Sequence, residues 1–285
     1  MLKLASMLLI AVSLLSGVTS ASADTLADIR ASGVYKIGYR NDVPPFSSAD
    51  EPGKPQGFAI DICRSVAGKL RAQLGMEDLA VEYVQVTAAN RLEAVARGDV
   101  HIVCGATTVT LSRQETVDFS NLFYVTGASF ITTSALGVER LDQVAGKRIA
   151  VVENTTTLTV LRQRLAEAGL EAKLSIVKDH RQALKLLEDG AVDALAGDRA
   201  TLLALGFASN ELRALRLSAL MLSFEPYAFP VPRNDADYRL AVNRALSSVY
   251  NSGEVGRLWQ QWFADYNVKP TQLLLTLYQL NAFSE

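Results

Sequence analysis

The chain has 285 residues, enough for one large domain or two of ordinary size. Apolar residues make up 49% and charged residues 20%, which excludes a disordered chain, a collagen and a coiled coil. Lys plus Arg number 28 against 30 Asp plus Glu with no basic run, which argues against nucleic acid as a partner; two Cys and two His make a conventional four-ligand zinc site only if all four converge.

The chain opens with an expected export signal over 1–23. Lys3 precedes an apolar stretch, Met7 to Val18, that is too short to span a membrane, and Ala21-Ser22-Ala23 is a small-x-small cleavage site. The exported protein then begins at Asp24. In an oxidising compartment Cys63 and Cys104 are expected to be bridged, the alternative being two buried free thiols.

Thr25 to Ala31 reads as a short helix stopped by Gly33, and Val34 to Tyr39 as a strand. Arg40 to Gly57 is a Pro- and Gly-rich loop. Phe58 to Leu74 is helical, with Ile60, Ile62, Val66, Leu70 and Leu74 mostly four apart. Leu79 to Val86 is a strand. Thr87 to Gly98 is a loop and helix, with Asn90 and Glu93 at capping-box spacing. Val100 to Cys104 is a strand, and Phe130 to Thr133 lies in another.

At Lys147 the pattern starts again. Lys147 to Val152 is a strand, 153–156 a polar loop and Leu158 to Glu167 a helix. Leu174 to Val177 and Val192 to Ala196 are strands on either side of the helix Arg181 to Glu188. Arg199 to Leu205 is helical, with Asp198 at its start. The last helical stretch, Asp235 to about Phe263, breaks near Ser252-Gly253. The segment 92–98 followed by 100–105 has the same layout as 184–190 followed by 192–197: helix, Gly stop, buried strand, Gly. We read two α/β lobes of similar design, each a mainly parallel sheet flanked by helices. Such sheets bind ligands beyond the carboxyl ends of their strands.

Those strand ends carry Arg40, Arg91, Thr107, Thr108, Arg113, Thr155, Thr156, His180 and Asp198. Taken singly, each suits a solvated surface, a helix cap or a structural histidine. Together they suit a free amino acid. Arg offers a planar fork that matches a carboxylate, Thr hydroxyls and helix N-terminal N–H groups add donors, and Asp198 answers an ammonium. No nucleophile elbow, phosphate loop or zinc-protease helix is present in the sequence. A Ser–His–Asp triad would have to use His101 or His180, and His101 lies mid-strand, where a side chain normally packs.

At these residues the chain resembles the amino-acid-binding proteins of ABC importers, family 3 of the two-lobed type II receptors. The family's Gly…Pro-Phe segment stands as Gly38 to Phe46, its Thr…Arg…Phe-Ser segment as Thr108, Arg113, Phe119 and Ser120, and its Gly-Thr-Thr loop as Asn154-Thr155-Thr156. The resemblance is strongest to the glutamate/aspartate-binding subgroup, through Asn90-Arg91, Cys104 to Thr108 and Lys178-Asp179-His180. It implies that Arg113, Thr108 and Thr156 hold a ligand α-carboxylate, that Asp198 holds the α-ammonium, and that Arg40, Arg91 and His180 face the side chain. Ala88 and Ala106 stand where the subgroup carries Ser, and Asn154 replaces a Gly.

The resemblance implies a periplasmic, monomeric receptor. It would hand glutamate, aspartate or an amide relative to a membrane permease, with no cofactor, no metal and no catalytic residue. One lobe is expected over 24–132 plus 228–285 and the other over 133–227. With no acid identified at the side-chain end, the expected ligand order is acidic, then amide, with basic residues excluded. The rival is an enzyme on the same scaffold, of the cyclohexadienyl dehydratase kind.

Overall fold

The computed structural model describes residues 24–50, 53–209 and 215–284, so the expected export signal lies outside the described residues. No helix among the described residues is long and apolar enough to cross a membrane. The helix Thr25–Ser32 is capped by Asp24, which accepts from Ala27 N, and is closed by Gly33 in the left-handed region. The strand Val34–Tyr39 is central in a parallel three-stranded sheet, between Ala80–Gln85 and Ile102–Cys104. The helix Phe58–Leu74 packs against this sheet, with Ile60, Ile62, Cys63, Val66 and Leu70 fully buried. The expected loop 40–57 contains structure of its own: Asp42–Val43, Ser47–Ala49 and Pro55–Gln56 form a small antiparallel sheet.

The second sheet runs in the order Lys173–Val177, Arg148–Val152, Ala194–Asp198, Ala128–Thr133, Leu215–Leu217. Its first three strands are parallel and the last two reverse. Ala128–Thr133 therefore belongs to the second lobe, and the chain enters that lobe before Ala128 rather than at the expected 132/133. Tyr124–Thr126 pairs antiparallel with Glu225–Tyr227, and Asp118–Phe119 with Pro230–Val231, where the chain passes between lobes. The repeat holds in detail. Gly98 and Gly190 both take left-handed φ, at 75° and 66°, a conformation glycine adopts without a Cβ penalty.

The expected C-terminal helical stretch is two helices, Ala236–Asn251 and Glu254–Phe263, separated by Gly253. Trp259 and Phe263 pack back onto the first lobe. There Phe46, fully buried, meets Phe58, Phe123, Tyr124, Tyr227 and Phe263 with ring centroids 4.7 to 6.5 Å apart. This aromatic cluster joins the first loop to the strand crossing at Tyr124 and Tyr227. Cys63 and Cys104 form a disulfide that ties the helix Phe58–Leu74 to the strand Ile102–Cys104. Both half-cystines are fully buried.

Candidate functional site

Parallel strands place their carboxyl ends at one edge of each sheet, and the two edges face each other. Arg40 follows the strand Val34–Tyr39, and Thr108 and Arg113 follow Ile102–Cys104. From the second lobe, Thr155 and Thr156 follow Arg148–Val152, His180 follows Lys173–Val177, and Asp198 ends its strand. Eight of the nine strand-end residues, Arg91 included, line one cleft; Thr107 does not. The lobes are closed over the cleft, with direct contacts running between them.

The contacts across the cleft are polar. Thr108 Oγ1 and Thr156 Oγ1 lie 3.2 Å apart. Arg91 Nη1 and Nη2 reach Asn154 O at 3.5 and 3.4 Å. Arg181 donates to Asn41 O. Asn154 holds the loop in the left-handed region, at φ 54°, as its replacement of a glycine requires. Thr155 caps its helix by accepting from Leu158 N and also donates to Val152 O. Thr156, the first residue of that helix, turns its hydroxyl toward the cleft.

Asp198 does not cap the helix that follows it. Its carboxylate accepts from Thr157 Oγ1 at 3.2 Å and from Tyr227 OH, so it is fixed from two directions. Arg113 Nη1 donates to Thr108 O at 2.7 Å, which aims the guanidinium along the cleft. Burial pushes the Arg113 pKa down, while Glu225 and Asp198 oppose that shift. A guanidinium and a carboxylate held at separate points of one closed cleft match the two charges of an α-amino acid.

The expected distal cluster needs one correction. Arg40, Arg91 and His180 are all there, but so is an acid. Asp42 binds the Arg40 fork through Nε at 2.9 Å and Nη2 at 2.7 Å. Its Oδ2 also meets His180 N at 3.2 Å and His180 Nδ1 at 3.1 Å. Burial pushes the Asp42 carboxyl up, but the Arg40 guanidinium and His180 outweigh it and hold the carboxyl well below the ordinary carboxylate range. Nothing in the sequence marks Asp42 apart from the other polar residues of the 40–57 loop.

Glu225 is a second missed acid. It is 1% exposed and accepts from Thr156 Oγ1 at 2.8 Å and from Ser223 Oγ at 2.6 Å. Burial first, and then the Asp198 charge, push its carboxyl up. No strand-end motif marks Glu225, because it lies in a crossing strand.

Two other expectations resolve elsewhere. Asn90 makes no cap bond; its Oδ1 accepts from Thr87 N and Oγ1 instead. His101 sits one residue before its strand, away from the cleft, with Nε2 on Asp28 at 2.9 Å and Nδ1 accepting from Lys36 N. Burial pushes its pKa down. Thr107 is buried, and its hydroxyl has no partner among the described residues.

Two α/β lobes, joined by paired crossing strands and closed over a charged cleft, define the class: a type II two-lobed binding protein. The chain belongs to the bacterial extracellular solute-binding proteins, family 3, whose family model matches residues 35–265. It is 30% identical to the L-glutamate/L-aspartate-binding protein of Pseudomonas aeruginosa, over 84% of this chain and 80% of that protein. It is 26% identical to the glutamate/aspartate import solute-binding protein of Salmonella typhimurium, over 85% of this chain and 80% of that one. Among solved structures it is similar to a solute receptor for L-cysteine of Neisseria gonorrhoeae, with a TM-score of 0.76, 28% identity and coverage of 86% and 97% of the two chains.

Proposed function

We propose that this protein is a periplasmic receptor that captures a free amino acid, acidic or amide, and delivers it to an ABC permease. The observation that carries the reading is the convergence of Arg113, Thr108 and Thr156 with Asp198 in one cleft formed by both lobes. The α-carboxylate lies against Arg113 and the two threonine hydroxyls, and the α-ammonium against Asp198. The side chain points toward Arg91, Arg40 and His180. Ligand groups bridging the lobes favour the closed form, and the permease reads that form. The relatives named for glutamate and aspartate support the ligand class.

The lobes in this reading are 24–127 with 228–285, and 128–227. Export through the segment 1–23 places the receptor outside the inner membrane, where its disulfide is stable.

One observation favours the enzymatic rival. A dehydratase needs a general acid, and Glu225 is a buried carboxyl pushed toward its protonated form. It lies behind Thr156, however, and is not among the residues that line the cleft. A thermal-shift screen of the twenty amino acids tests the receptor reading. A ligand at 100 times its Kd stabilises by about 2.7 kcal/mol. Stabilisation by glutamate, aspartate or their amides is expected. No shift with any amino acid, together with turnover of prephenate or arogenate, would move the assignment to the enzyme.

A further inference from the structure

A carboxylate stands behind the distal end of the cleft, bonded to two of its lining residues but not itself among them. Asp42 is 4% exposed and occupies the Nε–Nη2 edge of Arg40, the edge that matches a carboxylate bidentately. The same Oδ2 meets the backbone N and the Nδ1 of His180, from the opposite lobe. In the closed form, then, Asp42 already accepts from two of the three groups expected to meet a ligand side chain. A ligand side-chain carboxylate has to compete with Asp42 for them, and it brings a like charge beside it.

Arg91 is the third group. It is 2% exposed, and its terminal nitrogens donate to the carbonyl oxygens of Ala88 and Asn154, which are neutral acceptors. A side-chain amide oxygen is an acceptor of the same kind. Arg91 Nε has no partner among the described residues, so one donor is left over. An amide side chain offers Arg91 an oxygen and brings no second negative charge beside Asp42. An acidic side chain supplies only acceptors.

We infer that Asp42 is the residue that sets ligand charge in this receptor, an internal carboxylate that biases the site toward an amide amino acid, asparagine or glutamine, over the matching acid. This rests on the receptor reading above and narrows its ligand class.

The test is calorimetric titration with aspartate, asparagine, glutamate and glutamine on the wild type, Asp42→Asn and Asp42→Ala. The wild type is expected to bind an amide at least tenfold more tightly than the corresponding acid. Both variants free Arg40 and His180, so the acid-to-amide affinity ratio should shift at least tenfold toward the acid. A wild-type preference for the acid, or a ratio unmoved in both variants, overturns the inference and leaves the receptor reading standing. If one variant fails to fold the other decides, and if neither folds the wild-type preference decides. Binding of none of the twenty amino acids would overturn both.

Discussion

Thr156 Oγ1 donates to Glu225 Oε2 at 2.8 Å, so a hydroxyl that lines the cleft is already committed to a buried carboxyl group. For Thr156 to donate to a ligand carboxylate, either that bond breaks or Glu225 takes up a proton and becomes the donor. Burial and Asp198 already push Glu225 toward the protonated form, and a ligand carboxylate pushes it further. Ligand binding should therefore take up as much as one proton. The heat of binding should vary with the ionisation enthalpy of the buffer, and Glu225→Gln should abolish the variation. Affinity should fall as pH rises through the raised Glu225 pKa. Buffer-independent heats in the wild type would remove Glu225 from the account.

Asp42 makes the opposite contribution. Its carboxyl is held below its unfolded value of about 3.9 by Arg40 and His180. A lowered carboxyl adds stability that is present above the unfolded pKa and lost as pH falls toward the folded one. Asp42→Asn should cost about 3 kcal/mol at neutral pH, because it leaves Arg40 buried without its partner. The gap between the two melting curves should narrow steadily below about pH 4. A gap constant from pH 7 to pH 3 would show that the ion pair is not the source.

The disulfide closes a loop with a sequence separation of 41, which in the chain-entropy model is worth about 4 kcal/mol. Thiol titration of the denatured, unreduced protein should find no free thiol. Reduction should lower the melting temperature markedly. Two reactive thiols per chain would contradict the bridge.

Phe46 sits at the centre of the aromatic cluster and is fully buried. Phe46→Ala should cost about 3–5 kcal/mol in stability. Because the cluster includes Tyr227, whose hydroxyl holds Asp198, ligand affinity should fall as well. A variant as stable as the wild type by chemical denaturation would show that the cluster relaxes around the gap.

Much of this architecture is legible in the residues. The repeated Gly-stopped helix and buried strand identify two like lobes, because Gly98 and Gly190 sit where only a glycine turns the chain cheaply. Strand ends then collect Arg40, Arg91, Thr108, Arg113, Thr155, Thr156, His180 and Asp198 at one cleft, as parallel topology demands. What escapes notice is pairing across chain distance. Asp42 reads as one more polar loop residue until the small sheet at Asp42–Val43 turns it onto Arg40 and the second lobe brings up His180. Glu225 lies far from any strand-end pattern, and only the crossing strands bring it beside Thr156. The edge of the second lobe shifts for a related reason: Ala128–Thr133 runs antiparallel, which a strand–helix alternation does not announce.

Arg113 and Asp198 are proposed to clamp the two charged ends of one amino acid between the lobes. Calorimetry of Arg113→Ala and Asp198→Ala with the best ligand of the wild type tests this clamp most directly. Each variant strands one charge of the ligand in a closed cleft, so each should lose at least about 2 kcal/mol, roughly thirtyfold in affinity, while still unfolding cooperatively. Wild-type affinity in both variants would contradict the account.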